Sequence, residues 1–418
     1  MIQKPRGTMD LLPTVTPTWR KVEQICLDTA SRFGFEEIRI PTFEASELYR
    51  RGVGEGTDVV QKEMYDFADK DGRSMTLRPE GTAGVSRAVI ENSLYAGAMP
   101  LKLSYLVSCF RYELPQAGRS REFYQFGVEC FGAADPKCDA EVILLAAEIF
   151  KNLGIDVRLE LNSIGCPDCR AKYLEALKAY FAEHTETLCE TCQGRLQRNA
   201  LRVLDCKSPI CKEVAATAPK ILDFLCEDCK TSFDSTCKTL SDCGLSYEVN
   251  PQIVRGLDYY RGVVFEFISD DIGAQSTVCG GGRYDGLIES LGGPALSGIG
   301  FAMGLTRILL CLKAKEEEVE RRTPDLYVAS IGDAAKDYAF LLAQKLREKG
   351  LYVTSDIVGR SLKAQMKYAD KCGASYAIVL GDSEVEEKRA RLRPMRGGDE
   401  RDVDLSDIDA LYRILKGE

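Results

Sequence analysis

The sequence predicts a mixed helix-and-strand protein in three segments: a large unit of helices and strands, a helical cysteine-rich insertion inside it, and a small C-terminal α/β domain. Three observations carry this. Strand-like and helix-like stretches are mixed over the first 165 residues and return after Ile253. Ten of the 17 cysteines fall between Cys166 and Cys243. Residues 325–418 alternate strand and helix patterns regularly. A chain of 418 residues has room for two or three domains and an ample core.

Thr16 to Gly34 predicts a helix, with Thr16 able to cap it, Pro17 suited to its first turn, and Val22, Ile25, Cys26 and Ala30 at helical spacing. Glu37 to Pro41 alternates like a short strand ended by proline, and Thr76 to Glu80 is a strand-to-helix junction. Leu101 to Glu113 and Glu122 to Phe131 predict two strands joined by a polar loop, Leu114 to Arg121. An apolar helix follows over Asp139 to Leu153, then an alternating strand over Val157 to Leu161. Cys166 to Tyr247 is helical, with the texture of an insertion. Strands resume with Val263 to Ile268. Gly280-Gly281-Gly282 reads as a glycine loop, a tight turn where backbones pass closely. Ser297 to Leu312 joins a glycine-spaced strand to an apolar helix. Lys313 to Arg322 is a dense charge run, read as a solvated helix end or linker. Beyond Pro324, strands over Leu326 to Ile331, Tyr352 to Thr354 and Tyr376 to Leu380 alternate with helices over Lys336 to Lys349, Leu362 to Cys372 and Asp407 to Leu415.

Apolar residues at 45% and charged residues at 28% are ordinary for a globular protein. No apolar run reaches the roughly 18 residues a membrane-spanning helix needs, and Met1 to Gly7 lacks a signal-peptide core. The expectation is a cytoplasmic protein with no membrane partner. The net charge of −9 does not suit non-specific coating of nucleic acid; any such contact must come from a local basic patch, since salt screens charges beyond about 8–10 Å. With His184 the lone histidine, a Ser-His-Asp triad is disfavoured. The cysteines favour metal or free thiols over disulfides. Cys166-x-x-Cys169 and Cys189-x-x-Cys192, separated by 19 residues, fit a zinc spacing, and Cys206, Cys211, Cys226 and Cys229 offer a second set. The alternative is a helical domain of reduced, buried thiols.

Arginines flanked by acids and aromatics stand at element boundaries: Arg78-Pro79-Glu80-Gly81-Thr82, Phe110-Arg111-Tyr112-Glu113, Arg255-Gly256-Leu257-Asp258-Tyr259-Tyr260 and Thr306-Arg307. Four such arginines predict a cleft for a polyphosphate.

These residues also carry a family resemblance. Pro5-Arg6-Gly7-Thr8-Met9-Asp10, Pro41, Phe110 to Glu113 with Phe123 to Glu129, and Gly298 to Arg307 resemble the opening and the three signature motifs of class II aminoacyl-tRNA synthetases. Arg255 to Tyr260 and Gly281 to Leu287 look like the two peptides that mark the histidyl-tRNA synthetase family among them. The resemblance spans the chain. It implies a catalytic domain over 1–322, with an antiparallel sheet flanked by helices and the insertion at 166–247, followed by an anticodon-binding domain over 325–418. It implies a homodimer that joins L-histidine to ATP with Mg²⁺ and transfers it to tRNA(His). Arg111 would contact the α-phosphate, Arg307 the far phosphates, and Arg255 would lie opposite Arg111, these three being catalytic. Glu113 would hold ATP, with Phe123 and Arg307 sandwiching adenine. Glu129 and Tyr260 would pair with the two imidazole nitrogens, Tyr284 would line the ring with Tyr259 close by, and Glu80, Gly81, Thr82 and Gln125 would meet the amino acid's α-amino end. Strand packing is the alternative for Tyr259 and Tyr260. Arg119 and Arg121 would meet the acceptor end of tRNA, while Arg360 to Lys363 and Lys388 to Arg401 give the last domain local positive charge. Two residues depart from the family pattern, Thr306 and Val263. A regulatory paralogue of the kind that partners ATP phosphoribosyltransferase is a weaker reading, because the last domain and Arg111, Arg255 and Arg307 are all present. A synthetase of another specificity lacks the two marker peptides, and a zinc-dependent RNA-binding module leaves the arginine cleft unexplained.

Overall fold

The computed structural model describes residues 1–417 apart from 117, 199, 205, 207 and 315–321. The charge run expected at 313–322 lies mostly outside the described residues. The chain divides into two compact units, Met1–Val319 and Glu320–Glu418.

The first unit is built on an eight-stranded sheet in the order Glu36–Glu37, Leu101–Phe110, Glu122–Phe131, Gly298–Gly304, Thr277–Arg283, Val263–Ile268, Arg158–Ser163, Glu248–Val249. The six inner strands are antiparallel and only the two short edge strands pair parallel. The two faces differ because strand side chains alternate. Phe126, Val128 and Cys130, with Ile299, Phe301, Met303, Phe265 and Phe267, pack into the core beneath the helices Thr16–Arg32 and Pro136–Asn152. Gln125, Gly127 and Glu129, with Gly300 and Gly304, fall on the opposite face. Val263, one of the two departures, packs in the apolar core. The single tryptophan, Trp19, packs edge-on against Tyr124 at 4.9 Å and donates to Glu23 Oε1 at 2.7 Å.

The strand expected over Glu37–Pro41 shrinks to Glu36–Glu37. The carbonyls of Ile40 and Pro41 instead accept from Arg78 Nη1 at 2.7 and 2.9 Å. A small antiparallel sheet, Phe43–Ala45, Ser74–Leu77 and Tyr65–Ala68, lies beyond.

Gly280-Gly281-Gly282 is no loop but the middle of the strand Thr277–Arg283. Each missing side chain makes room. A Cβ at Gly280 would strike the Arg255 guanidinium, one at Gly281 the Gly300 carbonyl and Phe301, and one at Gly282, whose φ is +159°, the Val263 carbonyl. Glycine here permits close packing rather than a turn.

The insertion is helical as expected. Its helices include Pro167–Glu183, Glu190–Arg198, Pro209–Ala216 and Glu227–Asp242, and Leu177, Phe181, Val203 and Cys211 belong to a small core of its own.

The second unit has a five-stranded sheet ordered Val353–Ser355, Leu326–Ser330, Tyr376–Leu380, Arg389–Pro394, Arg401–Asp404. The first three are parallel, linked by the helices Asp333–Glu348 and Leu362–Lys371. The last two form a hairpin that the sequence showed only as a basic run. Its outward Arg389, Arg391 and Arg393 alternate with buried Ala390 and Leu392, and face a strand carrying Asp402 and Asp404, so the surface is mixed rather than basic. Arg360 is bound by Asp356 at 2.8 Å and stacks on Tyr368.

Candidate active site

The polar face of the large sheet floors a cavity lined by Glu80, Thr82, Arg111, Glu113, Arg119, Phe123, Gln125, Arg255, Tyr259, Tyr260, Tyr284 and Arg307. The arginines are held rather than loose. Arg255 is paired with Glu266 and lies on the bare backbone of Gly280, with its ring neighbour Tyr260 at 5.5 Å. Burial works against its charge, yet Glu266 together with Tyr260 and Tyr259 outweighs this and its pKa rises. Arg111 Nε donates to the Pro79 carbonyl at 2.9 Å, and its guanidinium stands 5.3 Å from the Phe123 ring. Arg307 Nε donates to the Gly118 carbonyl at 3.0 Å and Nη1 to the Thr277 carbonyl at 2.5 Å. Burial, and after it the charge of Arg119, lowers the Arg307 pKa. An anion arriving beside these cations relieves their repulsion.

A different chemistry lies under another part of the same wall. Glu129 is 1% exposed, and Oε1 accepts from Thr82 Oγ1 at 2.7 Å and Tyr105 OH at 2.9 Å, while Oε2 accepts from Tyr284 OH. Gly300 leaves space for this carboxylate, since a Cβ there would meet Oε2. Burial pushes the Glu129 carboxyl up to about 8 against the pull of the three hydroxyls. Glu80 caps the helix Thr82–Glu91, accepting from Thr82 N at 2.7 Å and Ala83 N at 2.8 Å; burial raises its pKa and those donors restrain the rise.

Among the expected residues, Gly81, Glu129 and Arg121 do not line the cavity. Gly81 is pressed against the Tyr105 ring, and Glu129 sits behind Thr82 and Tyr284. Arg121 stacks on Tyr112 at 3.9 Å and packs over Gly7. Arg119 pairs with Glu113 at 3.3 Å. The reading of Arg78 as a fourth cleft arginine is overturned: it is 6% exposed, and besides Ile40 and Pro41 its Nε donates to the Ser108 carbonyl at 2.6 Å. It clamps backbone.

Tyr105 and Glu266 were not anticipated. Glu266 had a legible signal, as the lone acid within Val263-Val264-Phe265-Glu266-Phe267-Ile268; Tyr105 had none. The spacing-based cysteine set is also corrected. Cys166 and Cys169 converge with Cys226 and Cys229, not with Cys189 and Cys192, which gather with Cys206 and Cys211.

The family model described as histidyl-tRNA synthetase matches residues 7–308, more than half the chain. The chain belongs to the histidyl-tRNA synthetase family. A second model, described as an anticodon binding domain, matches residues 325–412. A histidine–tRNA ligase of Acetivibrio thermocellus is 49% identical over 418 residues, all of both chains. One from Caldanaerobacter subterraneus subsp. tengcongensis is 50% identical over 411 residues, 98% of this chain and 99% of the relative. The apo histidyl-tRNA synthetase of S. aureus superposes with a TM-score of 0.83 at 37% identity, covering 99% of this chain and 100% of that one. The antiparallel sheet, flanking helices, cysteine-rich insertion and C-terminal anticodon-type domain are therefore those of a class II synthetase of the histidyl-tRNA synthetase family. No described helix is long and apolar enough to cross a membrane.

Proposed function

We propose that the chain activates L-histidine with ATP and transfers it to tRNA(His). The observation that carries this is one cavity combining Arg111, Arg255 and Arg307 with the Thr82–Tyr284–Glu129 hydrogen-bond nest, in a chain related over its full length to histidine–tRNA ligases. A histidine carboxylate oxygen attacks the α-phosphorus. The new O–P bond forms as the bond to pyrophosphate breaks, and pyrophosphate leaves. The terminal ribose hydroxyl of tRNA then attacks the acyl carbon and AMP departs. Little covalent work falls to the protein, so rate comes from positioning and from cations placed where charge grows.

Arg111 and Arg255 take the α-phosphoryl oxygens, and Arg307 the outer phosphates with adenine stacked against Phe123. Tyr260 donates to one imidazole nitrogen, while Glu129 acts from behind the wall, holding the Thr82 and Tyr284 hydroxyls in place. Tyr259 and Tyr284 enclose the ring, while Glu80, Thr82 and Gln125 surround the α-amino end. Glu113 lines the cavity, and its carboxylate, whose Oε2 pairs with Arg119 at 3.3 Å, is the oxygen ligand that would hold Mg²⁺. Mg²⁺, arriving with ATP, supplies neutralisation of the outer phosphates. Arg119 and Arg121 border the path of the tRNA acceptor end, and the unit containing residues 325–412 reads the anticodon. A homodimer in the cytoplasm completes the reading. The regulatory alternative is not favoured, since the anticodon-type domain and the three arginines are present.

ATP–pyrophosphate exchange with each of the twenty amino acids tests this. Histidine alone should support exchange, because an apolar analogue leaves buried polar groups unpaired, a penalty that can reach about 10⁴–10⁵ in specificity. Exchange with another amino acid and none with histidine would refute it.

A further inference from the structure

We propose that the insertion holds two zinc ions in tetrahedral thiolate sites, one formed by Cys166, Cys169, Cys226 and Cys229 and the other by Cys189, Cys192, Cys206 and Cys211, the first of them bracing the wall of the amino acid pocket. In each group all four sulfurs lie within 4.8 Å of one another. Cys166 and Cys169 are 3.5 Å apart and Cys189 and Cys206 are 3.9 Å apart. A tetrahedron with Zn–S bonds of about 2.3 Å has edges of about 3.8 Å. A disulfide needs about 2.05 Å and joins sulfurs only in pairs, which four converging side chains do not explain. The ligands are all soft sulfur, the set that selects zinc among abundant divalent ions.

The local structure prepares these thiols for a cation. Cys166 and Cys226 each stand at the N-terminal cap of a helix, Pro167–Glu183 and Glu227–Asp242, with Cys169 and Cys229 one turn on, so i and i+3 converge. Backbone N–H groups point at sulfur: Cys226 N donates to Cys169 Sγ at 3.1 Å and Cys189 N to Cys211 Sγ at 3.3 Å. Such donors and helix N-termini favour the thiolate that a metal requires. The first site closes the insertion, joining its first helix to its last; the second lies within the insertion's small core.

The bracing follows from Arg170, which adjoins Cys169 and donates through Nη2 to the Tyr260 carbonyl at 3.0 Å, while Gly262 N donates to the Gly165 carbonyl at 3.1 Å. The metal thus fixes the segment that presents Tyr259 and Tyr260. This last step rests on the proposed function; the metal sites do not.

The test is zinc content of the full-length protein purified under reducing conditions without chelator. Two zinc per chain are expected. Cys226→Ser with Cys229→Ser should leave one, and so should Cys206→Ser with Cys211→Ser. Should a variant not fold, titrating the native protein with a mercurial reagent provides the second reading, with four thiols reacting per zinc released. Cobalt in place of zinc should give the charge-transfer absorption of a tetrahedral four-thiolate site. Under a tenth of a zinc per chain with no such absorption on adding cobalt overturns the sites. One zinc retained when the two double substitutions are combined in one chain overturns the grouping. For the bracing, the Cys226/Cys229 variant should raise KM for histidine about tenfold in pyrophosphate exchange, the scale of an outer-shell loss, with KM for ATP unchanged; equal change in both removes that role.

Discussion

Gly280 decides whether Arg255 can stand where it does. A Cβ there would sit 2.5 Å from both terminal guanidinium nitrogens and 2.8 Å from Cζ, so a single methyl evicts the cation while the strand keeps its hydrogen bonds. Gly280→Ala should therefore lower pyrophosphate exchange by about 10²–10³, the loss typical of one transition-state donor. Its melting temperature should stay within about 4 °C of the parent, because the displaced group is the far end of a flexible side chain. Near-parental exchange would take Arg255 out of the reaction. The residue scale is also where sequence reading was most uneven. The arginines announced themselves by their neighbours, and Arg111, Arg255 and Arg307 do share a cavity. Arg78 had the same neighbours but spends its donors on Ile40, Pro41 and Ser108. Nothing in one dimension separates a guanidinium that meets carbonyls from one that awaits phosphate.

Elements were legible where apolar or β-branched runs set them: Glu122–Phe131, Val263–Ile268 and Tyr376–Leu380 have the expected limits. They were illegible where packing overrode composition. The glycine strand and the Arg389–Pro394 hairpin carry turn-like or charged residues, yet both pair, the glycine strand with one register shift between Thr277 and Cys279 against Val263–Ile268. One connection between elements is a buried ion pair: Arg283, at the end of the strand Thr277–Arg283, meets Asp139 in the first turn of the helix Pro136–Asn152, with 7% and 1% of their side chains exposed. Burial pushes the Asp139 carboxyl up to about 6 despite Arg283. Asp139→Ala takes from the guanidinium its buried partner but leaves its carbonyl bond to Ala133 and its pair with Asp285, so the expected loss in denaturant unfolding is about 2–3 kcal/mol, below that of a fully uncompensated buried charge. Replacing both partners with apolar residues of similar size should recover most of it. If the single substitution costs under about 1 kcal/mol, the pair is not a structural clip.

At the scale of the molecule, each unit has its own core: Leu326, Val328, Ile378 and Leu392 belong to one that draws only on the second unit. A chain ending before Glu320 should fold and keep most of its pyrophosphate exchange. Aminoacylation should fall by about 10²-fold or more, the gain a second tethered contact gives. Loss of both activities in a folded truncation would mean the second unit helps build the first. The three-segment organisation was visible from strand and helix patterning and from the cysteine cluster, but the strand directions were not, because alternation looks the same in parallel and antiparallel pairs. The cysteine grouping was hidden for a related reason: spacing records neighbours along the chain, whereas Cys169 meets Cys226 only after several helices intervene. Trp19 turns the remaining geometry to use. It is the sole indole in the chain, and its edge-on partner Tyr124 belongs to a strand whose residues line the cavity. The protein thus carries an optical probe one ring removed from its ligand. ATP added to the unlabelled protein should change tryptophan emission, and Tyr124→Leu should abolish the change while binding persists by equilibrium dialysis, so that occupancy becomes readable as light.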